Sequence, residues 1–236
     1  MLNMAKTCEC KVECYEGNEL IIDESADFTN GTPEEIGDSY SPEEAPNGVY
    51  ILHTNGKIYP RNFWKTSENA NAVGVAVKTS KCAFVISPDE QPFMQWGSYG
   101  TFIMGCVTTN SDETKRKDYE GKSNTDAIIA QLGEEEDYAA KYCRNYTFKN
   151  GAKGYLPASG ELYEAYLNKS EIDACMSLIG GQVLYDSSID NWGKISSTQF
   201  DANYVWGLRS DDGSITTFIK DWAPFSISAR PFAPLL

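Results

Sequence analysis

The sequence of 236 residues has few of the groups that enzymes most often use for catalysis. Its only histidine is His53, and no G-x-S-x-G motif is present to form a Ser-His-Asp triad with it. A P-loop, a G-x-G-x-x-G loop, an H-E-x-x-H pair and a D-x-D-x-D-G calcium loop are missing as well. These absences argue against the common hydrolases, nucleotide enzymes and metalloenzymes. Paired carboxylates in so acidic a chain leave a glycosidase open, but no spacing singles out a pair.

Long apolar runs are also missing. No stretch of about 18 apolar residues occurs, so we expect no membrane insertion. The segment from Met1 to Cys8 has no apolar core of the kind that a secretory signal peptide needs. We therefore expect synthesis in the cytoplasm, with export, if it occurs, by lysis, by assembly into a particle, or through a signal already removed.

Basic residues are scarce. Lys and Arg number 20 against 34 Asp and Glu, which gives a formal charge of −14. Such a chain repels phosphate backbones, so we do not expect a nucleic-acid partner. The charge either keeps the protein soluble or forms an acidic binding patch, and solubility is the simpler interpretation.

The seven cysteines cannot all pair within one chain, because their number is odd. Cys8, Cys10 and Cys14 form a cluster that suggests a metal site, but a structural zinc site needs four ligands and usually C-x2-C spacing. Cys143 and Cys175 lie on apolar faces of predicted helices and read as buried apolar residues. We expect neither a metal nor a cofactor, and a reducing cytoplasm as the place of synthesis.

The composition and the predicted structure of the chain change near residue 47. Residues 1–46 are polar, acidic and rich in turns, and they predict either a partly disordered leader or an arm that docks on a larger assembly. Residues 47–236 predict strands first, then helices, then strands again. This order indicates an α+β domain with two or more helices packed on antiparallel strands.

Three local patterns define the predicted elements. Asn55-Gly56 is a favoured hairpin turn. Ile172, Cys175, Met176 and Ile179 have the spacing of one buried helix face, and Gly180-Gly181 ends that helix. Asp212-Gly213 predicts a two-residue hairpin turn that places Leu208 opposite Thr217 and Trp206 opposite Ile219, with Trp206 in the core and the other face of the hairpin outward.

The C-terminal half resembles bacterial and phage C-type-lectin-like domains. Residues 154–162, GYLPASGEL, resemble the G-[WY]-x-L-P-x-x-x-E-L opening of a helix in that family. Residues 196–199, SSTQ, followed by Ala202 and Trp206, resemble its S-S-T-[EQ] element, and Asp212-Gly213, Lys220 and Arg230-Pro231-Phe232 complete the pattern. Two positions depart from it: Val205 replaces the alanine before Trp206, and Ile195 stands where the family usually has tryptophan.

The resemblance implies a C-type-lectin-like fold and a role in binding rather than catalysis. The family includes surface adhesins, formylglycine-generating enzymes and variable proteins diversified by retroelements, among them phage tail-tip receptor-binding proteins. The calcium-lectin signatures E-P-N, Q-P-D and W-N-D are missing, and no cysteine follows Cys175 to match the paired active-site cysteines of the enzyme branch.

These expectations give one main hypothesis and two alternatives. The main hypothesis is a non-catalytic protein that binds a protein or glycan receptor on a cell surface, located on a virion or extracellular surface. The first alternative is an undiversified adhesin or glycan-binding domain of the same fold, and the second is a formylglycine-generating-type enzyme.

The expected binding surface lies between residues 190 and 222, where aromatic residues alternate with small polar ones, as in binding loops. We expect Trp192, Phe200 and Trp222 to be exposed, because they occur outside any apolar period. The full candidate set is Asn191, Trp192, Lys194, Phe200, Asp201, Asn203, Tyr204, Arg209, Asp211, Thr216 and Trp222.

Overall fold

The structure, a computed structural model, describes residues 14–16, 19–21, 39–92, 94–133, 137–184, 193–221 and 227–236. The chain divides into two units, Met1–Ile36 and Gly37–Leu236. In the first unit, β1 (Cys14–Glu16) pairs antiparallel with β2 (Glu19–Ile21). Residues 39–46 lie within the second unit. Tyr40 forms a backbone bridge with Ile58, and Ala45 is buried.

The first large sheet of the second unit is antiparallel and has five strands. In chain order they are β3 (Gly48–His53), β4 (Ile58–Tyr59), β5 (Ala72–Lys78), β6 (Ala83–Ile86) and β12 (Phe232–Pro234). In space the order is β12-β6-β5-β3-β4. The Asn55-Gly56 turn is confirmed: Gly56 has a positive φ of 84°, which glycine adopts without steric cost.

Four α-helices occur in the described part of the chain: α1 (Gly121–Leu132), α2 (Ala139–Asn145), α3 (Ser159–Leu167) and α4 (Lys169–Ile179). The predicted buried face of α4 is confirmed, since Ile172, Cys175, Met176 and Ile179 are all buried. Gly180 ends that helix in the left-handed conformation.

The second large sheet also has five strands: β7 (Gln91–Pro92), β8 (Gly193–Gln199), β9 (Tyr204–Arg209), β10 (Ile215–Ile219) and β11 (Ile227–Ala229). Its order is β10-β9-β8-β11-β7. β8 and β11 run parallel, and the other neighbours are antiparallel. Together with the helices, these sheets confirm the α+β class.

The predicted register of the β9–β10 hairpin is wrong. Leu208 pairs with Ile215, and Trp206 pairs with Thr217. The loop is longer than two residues, because the N–H of Arg209 donates to the carbonyl of Ser214 and closes it there. The shift by two residues leaves each side chain on its expected face, since side chains alternate along a strand.

Both faces of this hairpin are buried, which corrects the expectation of one outward face. Trp206 and Leu208 lie in a core shared with the first sheet, α3 and α4. Val205 and Phe218, on the other face, lie in a second core that includes residues of α1 and α2. The predicted burial of Trp206 is confirmed, since only 5% of its surface is exposed. Within the described residues, no helix has both the length and the apolar character needed to cross a membrane.

Candidate binding surface

The structure separates the candidate residues into two groups. Phe200, Asp201, Asn203 and Tyr204 lie at the β8–β9 turn, whereas Arg209 and Asp211 lie at the β9–β10 loop. Five residue steps along β9, about 17 Å at the usual rise, separate Tyr204 from Arg209. The two groups therefore occupy opposite ends of the sheet. Asn191, Trp192 and Trp222 lie outside the described residues.

Lys194 does not belong to an exposed surface, which corrects its place in the candidate set. It is 1% exposed, and its Nζ donates to Glu90 Oε2 at 2.5 Å and to Ser228 Oγ at 2.9 Å. Burial lowers the pKa of Lys194 to about 8, although the neighbouring carboxylate of Glu90 acts to raise it. Lys194 therefore helps to join β8 to β11 from inside the protein.

Arg209 is partly exposed, Asp211 is exposed, and the two side chains contact each other. Arg209 Nε donates to Asp211 Oδ1 at 2.9 Å, and Asp212 Oδ1 lies 3.7 Å from the same nitrogen. The hydrogen bond from Arg209 lowers the pKa of Asp211 to about 2. These contacts order the β9–β10 loop itself. Thr216, in β10, lies half-buried opposite Gly207.

The β8–β9 turn is held by one carboxylate. Asp201 Oδ1 accepts the N–H of Asn203 at 2.6 Å and that of Tyr204 at 2.8 Å. Phe200 is half-buried rather than freely exposed, because its ring meets Trp206 edge-on with the centroids 5.1 Å apart. The turn thus offers partly exposed Asp201, Asn203 and Tyr204 on a fixed backbone.

Residues 97–105 form a second exposed loop that was not among the candidates. Tyr99 is 55% exposed, Phe102 46% and Met104 73%, whereas Ile103 between the last two is fully buried. The alternation is that of an extended segment with one side inward. The sequence signal was present as SYGTFIMG, a run without charge between glycines, but it resembles a buried strand as closely as an exposed loop.

Two glutamine side chains hold this loop. Gln131 Oε1 accepts the N–H of Met104 at 2.9 Å, and Gln131 Nε2 donates to the carbonyl of Phe102 at 2.7 Å. Gln199 Oε1 accepts the N–H of Ile103 at 2.9 Å. The backbone is therefore fixed by hydrogen bonds on residues 102–104, while Phe102 and Met104 project into solvent.

Lys220 connects the loop to the end of the sheet. Its Nζ donates to the carbonyl of Thr101 at 2.7 Å and to Gln199 Oε1 at 2.6 Å, and it lies 4.5 Å from the centre of the Trp96 ring. Burial lowers the pKa of Lys220 to about 8. Since Gln199 immediately precedes Phe200, the exposed loop and the β8–β9 turn share one base. We call residues 97–105 and 200–204 together the loop surface.

A shallow cleft of about 250 Å³ adjoins the loop surface at Tyr99. Its lining is mostly polar and consists of Gln95, Gly97, Ser98, Tyr99, Asp137, Tyr138 and Asp221. Asp137 also pairs with Lys141 at 3.3 Å. An aromatic ring beside amide and carboxylate groups can accept sugar hydroxyls or a cationic group.

The SSTQ element is structural. Ser196, Ser197, Thr198 and Gln199 are all fully buried. Thr198 Oγ1 donates to Asp118 Oδ2 at 2.6 Å, and Ser196 Oγ donates to the carbonyl of Trp206 at 2.7 Å. The element therefore joins separate segments beneath the loop surface, and its own side chains are not exposed.

Four of the cysteines, Cys82, Cys106, Cys143 and Cys175, are poor nucleophiles. Burial raises the pKa of Cys82, Cys106 and Cys175 to about 12 and raises that of Cys143 as well. A thiol that stays protonated at neutral pH reacts slowly. Across the part of the chain that the structure describes, no three His, Cys, Asp or Glu side chains are grouped as metal ligands would be.

Comparison with known proteins shows similarity of fold only. No family model and no curated protein sequence matches the chain. The crystal structure of a fimbrial protein from Bacteroides ovatus is similar, with a TM-score of 0.54 and 10% sequence identity over 80% of this chain. The match covers 48% of that protein, so this chain spans about half its length.

Proposed function

We propose that this protein binds a ligand or receptor without catalysis and that the loop surface makes the contact. The observation that carries the proposal is the display of Phe102 and Met104 on a backbone held by Gln131 and Gln199. Large apolar side chains exposed together in this way favour a contact surface over ordinary solvent exposure.

The physical advantage of the arrangement is preorganisation. Ordering a loop on binding costs free energy, and a loop already fixed by side-chain hydrogen bonds avoids much of that cost. Aromatic residues and methionine are enriched at the centres of protein interfaces. Asn203 and Tyr204 at the neighbouring turn add polar contacts around the apolar centre.

The lectin-like resemblance supports a division between framework and contact residues. In the variable proteins of that family, framework residues stay constant while exposed positions change. The burial of SSTQ and the exposure of the loops agree with that division. We propose a receptor-binding protein of this type, such as a phage tail-tip or surface adhesion protein, with an undiversified adhesin or glycan-binding domain as the alternative.

The fold likeness to a fimbrial protein supports an adhesive role and a location on an extracellular surface. The receptor we propose is a protein or glycan on a cell surface. The four cysteines with raised pKa support a non-catalytic role over a formylglycine-generating one, since that chemistry uses reactive thiols.

The test compares two surface variants. Phe102→Ser combined with Met104→Ser removes the apolar centre, and Leu167→Ser removes an equally exposed apolar side chain (57% exposed) on α3. Labelled proteins are applied to a glycan array and to intact bacterial cells, with protease and periodate treatment of the cells to distinguish protein from glycan receptors. We expect the double variant to lose about 30-fold or more in affinity at unchanged stability, as anchor truncation does, and Leu167→Ser to bind normally.

Binding by the double variant as tight as that of the unchanged protein would show that the loop surface makes no contact. Turnover of a cysteine-containing peptide by the purified protein would contradict the non-catalytic role.

A further inference from the structure

The two large sheets have four edges, and one of them differs from the others. β4 has two residues and is followed by Pro60, β7 has two and ends in Pro92, and β12 has three and ends in Pro234. Short length and proline both discourage a further strand from pairing. β10, at the remaining edge, has five residues, Ile-Thr-Thr-Phe-Ile, with neither proline nor charge.

The backbone of β10 faces outward at alternate residues. The N–H of Arg209 bonds to Ser214 and that of Lys220 bonds to Asn203, so residues 214, 216, 218 and 220 face β9. Ile215, Thr217 and Ile219 then direct their N–H and C=O groups away from β9. None of the described residues is a hydrogen-bonding partner of these six groups.

The side chains of β10 suit an added strand. Four of the five residues are β-branched and the fifth is aromatic, the types that pair best across strands. Thr216, Thr217 and Ile219 are partly exposed. An incoming strand would meet neutral side chains on both faces of the edge.

The charge at the ends of β10 disfavours a second copy of this chain and favours a segment with basic ends. Asp211 and Asp212 lie before the strand and Asp221 follows it, all three exposed, and Arg209 offsets the charge of Asp211. Antiparallel pairing of two copies about Thr217 would set Asp221 opposite Gly213, next to Asp212 of the other copy. The formal charge of −14 adds to this repulsion, whereas basic residues at both ends of an incoming strand would be attracted.

We propose that the β10 edge accepts an extended segment of another polypeptide, with β-branched residues in its centre and Lys or Arg at its ends. The segment continues the second sheet by strand addition: its backbone bonds to Ile215, Thr217 and Ile219, while its basic ends approach Asp212 and Asp221. This edge adjoins the loop surface at its Asp221 end, but it offers backbone groups of β10 rather than the loop side chains, and the proposal does not depend on the receptor-binding role.

The experiment selects peptides and then removes one outward donor. A library of random nine-residue peptides is selected on the intact protein, and the enriched sequences are synthesised. Thr217→Pro deletes an N–H that β9 does not use, and proline is tolerated at such edge positions. Thr217→Val keeps the N–H and is the matched control.

We expect the enriched peptides to be β-branched with basic ends and to bind Thr217→Val as they bind the unchanged protein. Binding to Thr217→Pro should fall by about tenfold or more, since a hydrogen bond is lost and the strand approach is blocked. In the unchanged protein, peptide should slow hydrogen exchange at the amides of Ile215, Thr217 and Ile219. It should leave Thr216 and Phe218 as they were.

The amide measurement decides the case even if the proline variant does not fold. Selection of no peptide, protection at none of the three outward amides, or equal binding by a folded Thr217→Pro variant overturns the proposal. So does a dimer of the free protein that already protects these amides, because the edge would then serve a second copy.

Discussion

The Nζ of Lys220 lies 2.6 Å from the side-chain oxygen of Gln199, and this contact joins the end of the second sheet to the exposed loop. The same ammonium bonds to the carbonyl of Thr101. One buried cation thus connects three segments that are far apart in the sequence, and the charge is shared among neutral oxygens and the Trp96 ring.

Replacing Lys220 should loosen the loop without unfolding the protein. Lys220→Met removes both hydrogen bonds but fills the space and relieves the cost of a buried charge, so we expect a small change in stability. Hydrogen exchange in residues 97–105 should become faster, and receptor binding should weaken. Lys122→Met, at an exposed position on α1, is the control, and unchanged exchange in the loop after Lys220→Met contradicts this role.

The two glutamines should differ in their effect on stability. Gln131→Ala removes two bonds from the outer side of the loop and should weaken receptor binding with little change in the free energy of unfolding. Gln199→Ala leaves the N–H of Ile103 without its partner and removes one of the two hydrogen bonds of Lys220 Nζ, which should cost about 1–3 kcal/mol in addition. Urea unfolding and binding measured on both variants separate the effects. An equal loss of stability in the two variants would contradict this prediction.

Local patterns in the sequence predicted the local structure well. The spacing of apolar residues predicted α4, and Asn55-Gly56 predicted its hairpin, because the residues that decide these elements are neighbours in the chain. The α+β order followed in the same way.

Two of the errors came from partners distant in sequence, and one came from a local turn. Lys194 was expected to be exposed, because its partner Glu90 lies 104 residues away in the sequence. The display of Phe102 depends on Gln131 and Gln199, which no window around the loop contains. The β9–β10 register depended on where the Arg209 N–H closes the loop, and Asp212-Gly213 alone suggested a shorter one.

Trp206 and Phe200 are expected to contribute unequally to stability. Trp206 is buried between the sheets and donates its Nε1 hydrogen to the carbonyl of Thr109 at 2.7 Å, so Trp206→Ala should cost about 3–5 kcal/mol. Phe200 is half-buried and covers the edge of that ring, so Phe200→Ala should cost about 1–2 kcal/mol. Urea unfolding of the two variants tests the order, which a greater loss for Phe200→Ala would reverse.

Glu161 should make stability fall as the pH rises through neutrality. Burial raises the pKa of Glu161 to about 8 from 4.5, although the N–H of Ala158 and the hydroxyl of Tyr155 donate to the carboxylate. Between these two values the unfolded chain has released this proton while the native protein retains it. The native state therefore binds more protons, and the free energy of unfolding should fall by up to about 1.4 kcal/mol per pH unit between pH 5 and 7.5.

Glu161→Gln removes the titration while keeping an acceptor for Ala158, so it should flatten that slope and raise stability at pH 7.5. Glu164→Gln is the matched control, because Glu164 is just as buried at 5% exposure but pairs with Lys81 at 2.6 Å. Between pH 5 and 7.5, the free energy of unfolding from urea should fall with pH in the unchanged protein and in Glu164→Gln, but not in Glu161→Gln. The same slope in Glu161→Gln would mean that another group titrates, and the buried carboxyl would then be ionised throughout.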